Sequence, residues 1–89
     1  MKVTVEISLY PLKESYTETI IDFISSLKQY DGLTINSTAM STYIGGEYDL
    51  VMDALQQELK NVYKIVPDSA TVIKIIPKDL NVEQGFLTF

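Results

Sequence analysis

The run Asn36–Thr42 crowds an amide, the hydroxyls of Ser37, Thr38, Ser41 and Thr42, and the Met40 thioether into one short stretch, and Gly45-Gly46-Glu47 follows closely. Upstream, Glu6, Ser8 and Tyr10 alternate with apolar residues. Carboxylate, amide and hydroxyl groups beside aromatic rings suit a flat, polar and cationic small molecule. Rings stack on a heterocycle or a cation, and amide or carboxylate groups match ring donors and acceptors in pairs. The same side chains have plainer uses. Ser and Thr on a solvated sheet face need no ligand. Gly45-Gly46 lacks the surroundings of a phosphate loop and reads as a strand-to-helix break. Glu47 and Asp49 suit the first turn of a helix, where the dipole favours acids. Met40 reads as core filler.

Covalent and metal chemistry are narrowly bounded. The chain has no cysteine and no histidine, which removes disulfides, thiolate nucleophiles, Cys/His zinc sites and His-based triads. No EF-hand spacing of acids is present, and no metal or cofactor is expected. A general base would have to be a carboxylate, a tyrosine or a lysine. An enzyme here would need Glu6 or Glu47 shifted towards neutrality by an apolar pocket, and the sequence does not supply that setting. Seven lysines against twelve acids leave a net charge of −5. That balance opposes nucleic-acid binding, where neutralising phosphates supplies most of the affinity. No apolar run approaches a membrane span. The N-terminus alternates instead of forming a signal-peptide core, so the cytoplasm is the expected compartment.

The elements that must position these groups follow from periodicity. At 89 residues with 46% apolar content, one small domain is expected. Val3, Val5, Ile7 and Leu9 alternate with Lys2, Thr4, Glu6, Ser8 and Tyr10, which predicts a strand ended by Pro11. Glu14–Tyr30 turns to helical spacing through Tyr16, Ile20, Phe23, Ile24 and Leu27, with Ser15 or Thr17 as cap and Asp31-Gly32 as stop. Leu33–Thr38 and Met40–Ile44 read as a strand pair turning near Thr38-Ala39, closed by Gly45-Gly46. Glu47–Val66 is the clearest helix, with Val51, Leu55, Leu59, Val62 and Val66 on one stripe. Ala70–Ile76 is the last strand.

The order βαββαβ predicts an α+β, ferredoxin-like sandwich: a four-stranded antiparallel sheet with two helices on one face. The expected strand order is fourth, first, third, second. Residues 1–77 form the domain, and 78–89 form a C-terminal tail in which Phe86, Leu87 and Phe89 are available as an oligomer contact. With Leu33, Ile35, Met40 and Ile44 turned to the helices, the open face presents Glu6, Ser8, Tyr10, Asn36, Thr38, Ser41 and Tyr43, while Thr42 falls on the inner side.

The pieces "EISLYPL" at 6–12 and "TAMSTYIGGEYDLVMDAL" at 38–55 resemble the YkoF-like thiamine/hydroxymethylpyrimidine-binding family. Its members share a strand ending in Tyr-Pro-Leu, a Met-Ser/Gly-Thr strand and a Gly/Ala-Glu helix entry. The resemblance implies a non-catalytic binder of thiamine or its hydroxymethylpyrimidine precursor that pairs into homodimers or homotetramers. Carried over by position, it implies ligand contacts from Ser8, Tyr10, Thr38, Met40, Ser41, Thr42 and Glu47, to which the open-face reading adds Asn36. The alternative is a structural or regulatory module that oligomerises through its sheet without a small ligand.

Overall fold

The computed structural model of the chain describes residues 1–12 and 17–82. Its elements are β1 (Lys2–Pro11), α1 (Thr17–Leu27), β2 (Thr34–Ser37), β3 (Thr42–Glu47), α2 (Tyr48–Ile65) and β4 (Ser69–Ile76). The sheet runs β2-β3-β1-β4, and every neighbouring pair is antiparallel. This is the ferredoxin-like order expected from the sequence, read from the other edge. The capping expectation at Ser15, the helical placement of Glu14 and Tyr16, and the contact role of Phe86, Leu87 and Phe89 fall outside the described residues.

Alternation sets which face is buried. Val3, Val5 and Ile7 of β1 and Ile44 of β3 point into one core with Phe23 and Leu27 of α1 and Val51, Ala54, Leu55 and Val62 of α2. The helical residues recur at three- and four-residue spacing, so each helix turns a single apolar stripe to the sheet. Burying one such aliphatic side chain contributes roughly 1.5–3 kcal/mol. Tyr30, in the turn after α1, donates its hydroxyl to Glu58 Oε2 at 2.8 Å and ties the helices together. That hydrogen bond to a carboxylate holds the Tyr30 phenol above its ordinary pKa.

Three local features depart from the sequence reading. The β2–β3 connection is longer than a two-residue turn and spans Thr38–Ser41. Its conformation is set by Thr38, whose Oγ1 accepts the backbone N–H of Met40 and of Ser41, both at 3.2 Å, and donates to Ser41 O. A threonine hydroxyl thus stands in for ladder hydrogen bonds. Met40 is consequently carried out of the core and is 83% exposed, not core filler. Pro11 closes β1 as expected, paired with Ser69 at the strand end, where its missing N–H costs little.

Gly45 and Gly46 do not break β3 but lie inside it. They are there because other atoms come close. A Cβ on Gly46 would sit 3.0 Å from Gly32 O and from Leu33 Cδ2, and 3.3 Å from Val51 Cγ2. The backbone carbonyl cannot swing aside as a side-chain end can. Gly46→Ala is therefore expected to destabilise the fold by about 1–2 kcal/mol, within the usual range for overpacking. Urea unfolding followed by circular dichroism measures it; a midpoint unchanged from the wild type would refute the packing argument. Gly32, with φ 90, holds the left-handed position beyond α1, as its place after Asp31 predicts.

Candidate ligand-binding site

The sheet face away from the helices carries the polar groups, and the chain itself covers part of it. After β4, residues 77–82 fold back across this face. Thr4 Oγ1 donates to Lys78 O at 2.7 Å and accepts the N–H of Leu80 at 3.0 Å. Asn36 Nδ2 donates to Val82 O at 3.0 Å. Thr4 and Val82 are thereby buried, at 3% and 2% exposure. Gly45 makes room for this strap: a Cβ there would lie 3.1 Å from Val82 Cγ2. Beside the strap lies a groove of ≈ 180 Å³ lined by Lys2, Thr34, Gly45, Asp79, Asn81 and Val82. None of the residues expected at the site lines it.

Below the strap, register builds a cross-strand row. Asn36 pairs with Tyr43, Tyr43 with Glu6, and Glu6 with Lys74, so β2, β3, β1 and β4 each place one side chain in line. Directly opposed residues share a face. Ser41 Oγ donates to Glu6 Oε2 at 3.1 Å, and Lys74 Nζ stands 3.5 Å from Glu6 Oε1. Burial alone would raise the Glu6 carboxyl, but hydrogen bonds from Tyr43 and Ser41, with the Lys74 ammonium, outweigh it and hold the group below its ordinary pKa. Glu6 is thus a carboxylate at neutral pH, partly shielded yet still open to a ligand, with 31% of its side chain exposed. Lys74 is 71% exposed, and an exposed pair of that kind is worth about 0–1 kcal/mol, so its ammonium can be displaced.

The expected site residues divide into groups. Ser8, Tyr10, Asn36 and Ser41 share the outer face with Glu6, and Ser8 Oγ donates to Met40 O at 3.4 Å. Tyr10 is exposed at the end of β1. Thr38 braces the turn that delivers Ser41 to Glu6, which makes it a positioning residue. Met40 projects into solvent from that turn. Thr42 faces the helix side, buried, and shares a 3.0 Å hydrogen bond with the Ser37 hydroxyl. Glu47 lies at the far end of β3, where its Oε2 accepts the N-terminal ammonium at 2.9 Å; that hydrogen bond lowers its pKa. Sequence reasoning missed Lys74 as a member of this row, although its parity within β4 and the β1–β4 pairing carry the signal. It also missed Thr4, which looks like an ordinary outer-face residue until the strap covers it.

The family model for thiamine-binding protein matches residues 5–82. The chain belongs to the thiamine-binding protein family. No curated protein matches it. Among solved structures, a hypothetical protein of Methanocaldococcus jannascii is similar at 27% identity, with 93% of this chain and 90% of that one covered and a TM-score of 0.77. A proposed thiamine biosynthesis/salvage protein of Thermotoga maritima superposes with a TM-score of 0.80 at 20% identity, covering 94% of each chain. A Streptococcus pneumoniae protein does so at 0.75 and 22% identity, over 94% of this chain and 96% of that one. The last two likenesses show the shared fold. No helix among the described residues is long and apolar enough to cross a membrane.

Proposed function

We propose that this protein is a cytoplasmic, non-catalytic binder of thiamine or its hydroxymethylpyrimidine portion, and that the ligand lies on the outer sheet face along the Asn36–Tyr43–Glu6–Lys74 row. The observation that carries the reading is the Glu6 carboxylate, kept ionised by Ser41 and Tyr43 at the centre of that row. Thiamine offers an aminopyrimidine, whose exocyclic amine is a donor, and a cationic thiazolium. Glu6 accepts the donor, hydroxyls meet the ring acceptors, and Tyr10 or Tyr43 supplies a ring for stacking. The family match supports the ligand class. Since the platform is open on one side, pairing of chains into a dimer or tetramer is part of this proposal: small-molecule sites ordinarily bury about 70–90% of their ligand.

Calorimetric titration tests the reading. Saturable heat with thiamine or with hydroxymethylpyrimidine, and none with a neutral sugar of similar size, is the expected result. Absence of heat with both at millimolar concentration would refute it and leave the reading of a module that oligomerises without a small ligand.

A further inference from the structure

Hydrogen bonds around Glu6 all run towards the carboxylate. Ser41 Oγ donates to Glu6 Oε2, and the Tyr43 phenol donates to the same group. A hydroxyl has one hydrogen, so both side chains turn only lone pairs to anything that docks beside them. Ser8, further along the outer face, has its hydrogen on Met40 O. Asn36, at the end of the row, gives an N–H to Val82 O; a carbonyl only accepts, which fixes the amide with its NH2 towards the strap. The remaining donor at Glu6 is the Lys74 ammonium, exposed and 3.5 Å from Oε1. A carboxylate has about four lone-pair positions. Two are filled by hydroxyls of its own fold, and the rest are open to a ligand that displaces Lys74.

We propose that Glu6 takes the N–C–N edge of an aminopyrimidine in its protonated, amidinium form, so that a ring nitrogen acquires a proton from solvent as the ligand binds. This deepens the thiamine reading and rests on it. The exocyclic amine donates to one carboxylate oxygen. In the neutral ring, the adjacent nitrogen then brings its lone pair up to an acceptor. Neither Ser41 nor Tyr43 has a hydrogen for it without abandoning Glu6. A proton on that nitrogen turns the clash into a second hydrogen bond, and two parallel N–H···O bonds on one carboxylate are the strong arrangement. An adjacent anion favours the protonated form of a base. The ring's second nitrogen lies away from Glu6 and still accepts from a hydroxyl. The charged and titratable groups that face Glu6 are Tyr43 of β3 and Lys74 of β4. Its β1 neighbours on that face, Thr4 and Ser8, do not ionise, and the strap adds one charge of each sign in Lys78 and Asp79. An ammonium leaves as an amidinium enters, so the charge beside the carboxylate is conserved. The ligand class that fits is a planar cation with two N–H donors on one edge. Rings that present a carbonyl or a bare nitrogen there are refused.

Calorimetry in two buffers of different ionisation enthalpy counts the protons. Hydroxymethylpyrimidine, which carries no fixed charge, is expected to take up about 0.5–1 proton on binding the full-length protein at about pH 6.5. Its affinity is expected to rise by up to about tenfold per unit as pH falls from about 8 to about 6. Benzamidine, an amidinium throughout this range, is expected to bind with no uptake and no slope. In Glu6→Gln, whose amide supplies its own N–H to a neutral ring, the uptake is expected to vanish while circular dichroism stays that of the wild type. Buffer-independent heat for hydroxymethylpyrimidine in the wild type would overturn the proposal and leave the thiamine reading standing. So would binding of thiamine without binding of hydroxymethylpyrimidine, which sets the thiazolium on Glu6 instead. Uptake that persists in Glu6→Gln would overturn it too, by moving the proton to another group. Heat from benzamidine alone would keep the amidinium edge and sink the thiamine reading, and no heat from any of the three would sink both.

Discussion

Glu6→Gln is expected to weaken thiamine binding about 10- to 100-fold, the loss of one hydrogen bond to a charged group, worth about 1.5–3 kcal/mol. The substitution keeps the shape of the side chain. Ser41 can still donate to the amide oxygen. What disappears is the negative charge that faces the ligand's amine and cation. Lys74 should respond in the opposite sense. Its ammonium competes with a cationic ligand for the same carboxylate at 3.5 Å, so Lys74→Met is expected to tighten binding, by no more than about fivefold given how little an exposed pair is worth. Calorimetry on both variants decides the matter. Equal affinity in Glu6→Gln and wild type would remove Glu6 from the site, whatever else binds the ligand.

The same carboxylate sets a pH dependence. Its folded pKa lies below the ordinary glutamate value of about 4.3, because donors and an ammonium outweigh the opposing effect of burial. A depressed folded pKa contributes stability that is fully present above the unfolded value and is lost as pH falls through the folded one. The stability difference between wild type and Glu6→Gln should therefore be constant from neutrality down to about pH 5 and shrink below that. Ligand affinity should follow the same course wherever the ligand itself does not titrate.

Much of the fold is legible in the sequence, and the boundary of what is legible has physical causes. Val3, Val5 and Ile7 alternate, and Val51, Leu55 and Val62 recur at helical spacing; each pattern reports burial directly, so strand order and helix placement followed from local periodicity. Gly45-Gly46 reads as a break because a glycine pair in isolation is flexible. Inside the fold, its function is space, for Val82 on one face and for Leu33, Val51 and the Gly32 carbonyl on the other. That demand comes from residues far away in sequence. Met40 failed as a core residue for a related reason: the Thr38 hydroxyl captures two backbone N–H groups and moves the strand end past it. Lys74 joins the row beside Glu6 only through the register of β4 on β1. The row of four side chains is a product of pairing between strands, and no single strand displays it.

Thr4→Val carries this lesson into a measurement. Valine keeps the volume and the β-branched shape that a central strand favours, so a reading of β1 alone predicts a neutral or stabilising change. The strap over the outer face makes the opposite prediction. Thr4 Oγ1 is the donor to Lys78 O and the acceptor from Leu80 N–H, and it is buried beneath them. Valine leaves that carbonyl and that N–H without the hydroxyl on which both close. Stranding a buried polar group costs about 1–3 kcal/mol, so two of them, each only part-buried, put the expected loss at about 2–4 kcal/mol. Water can relieve the loss only if residues 77–82 lift from the sheet. That would strip cover from Gly45, withdraw Val82 from its pocket and free the Asn36 amide from the Val82 carbonyl. Two readouts should therefore move together: the urea midpoint falls, and the Leu80 amide exchanges faster with solvent than its neighbours in β1. A variant as stable as the wild type, with Leu80 still protected, would mean that the strap is held by Val82 and Asn36 alone and that the Thr4 hydroxyl does not fasten it.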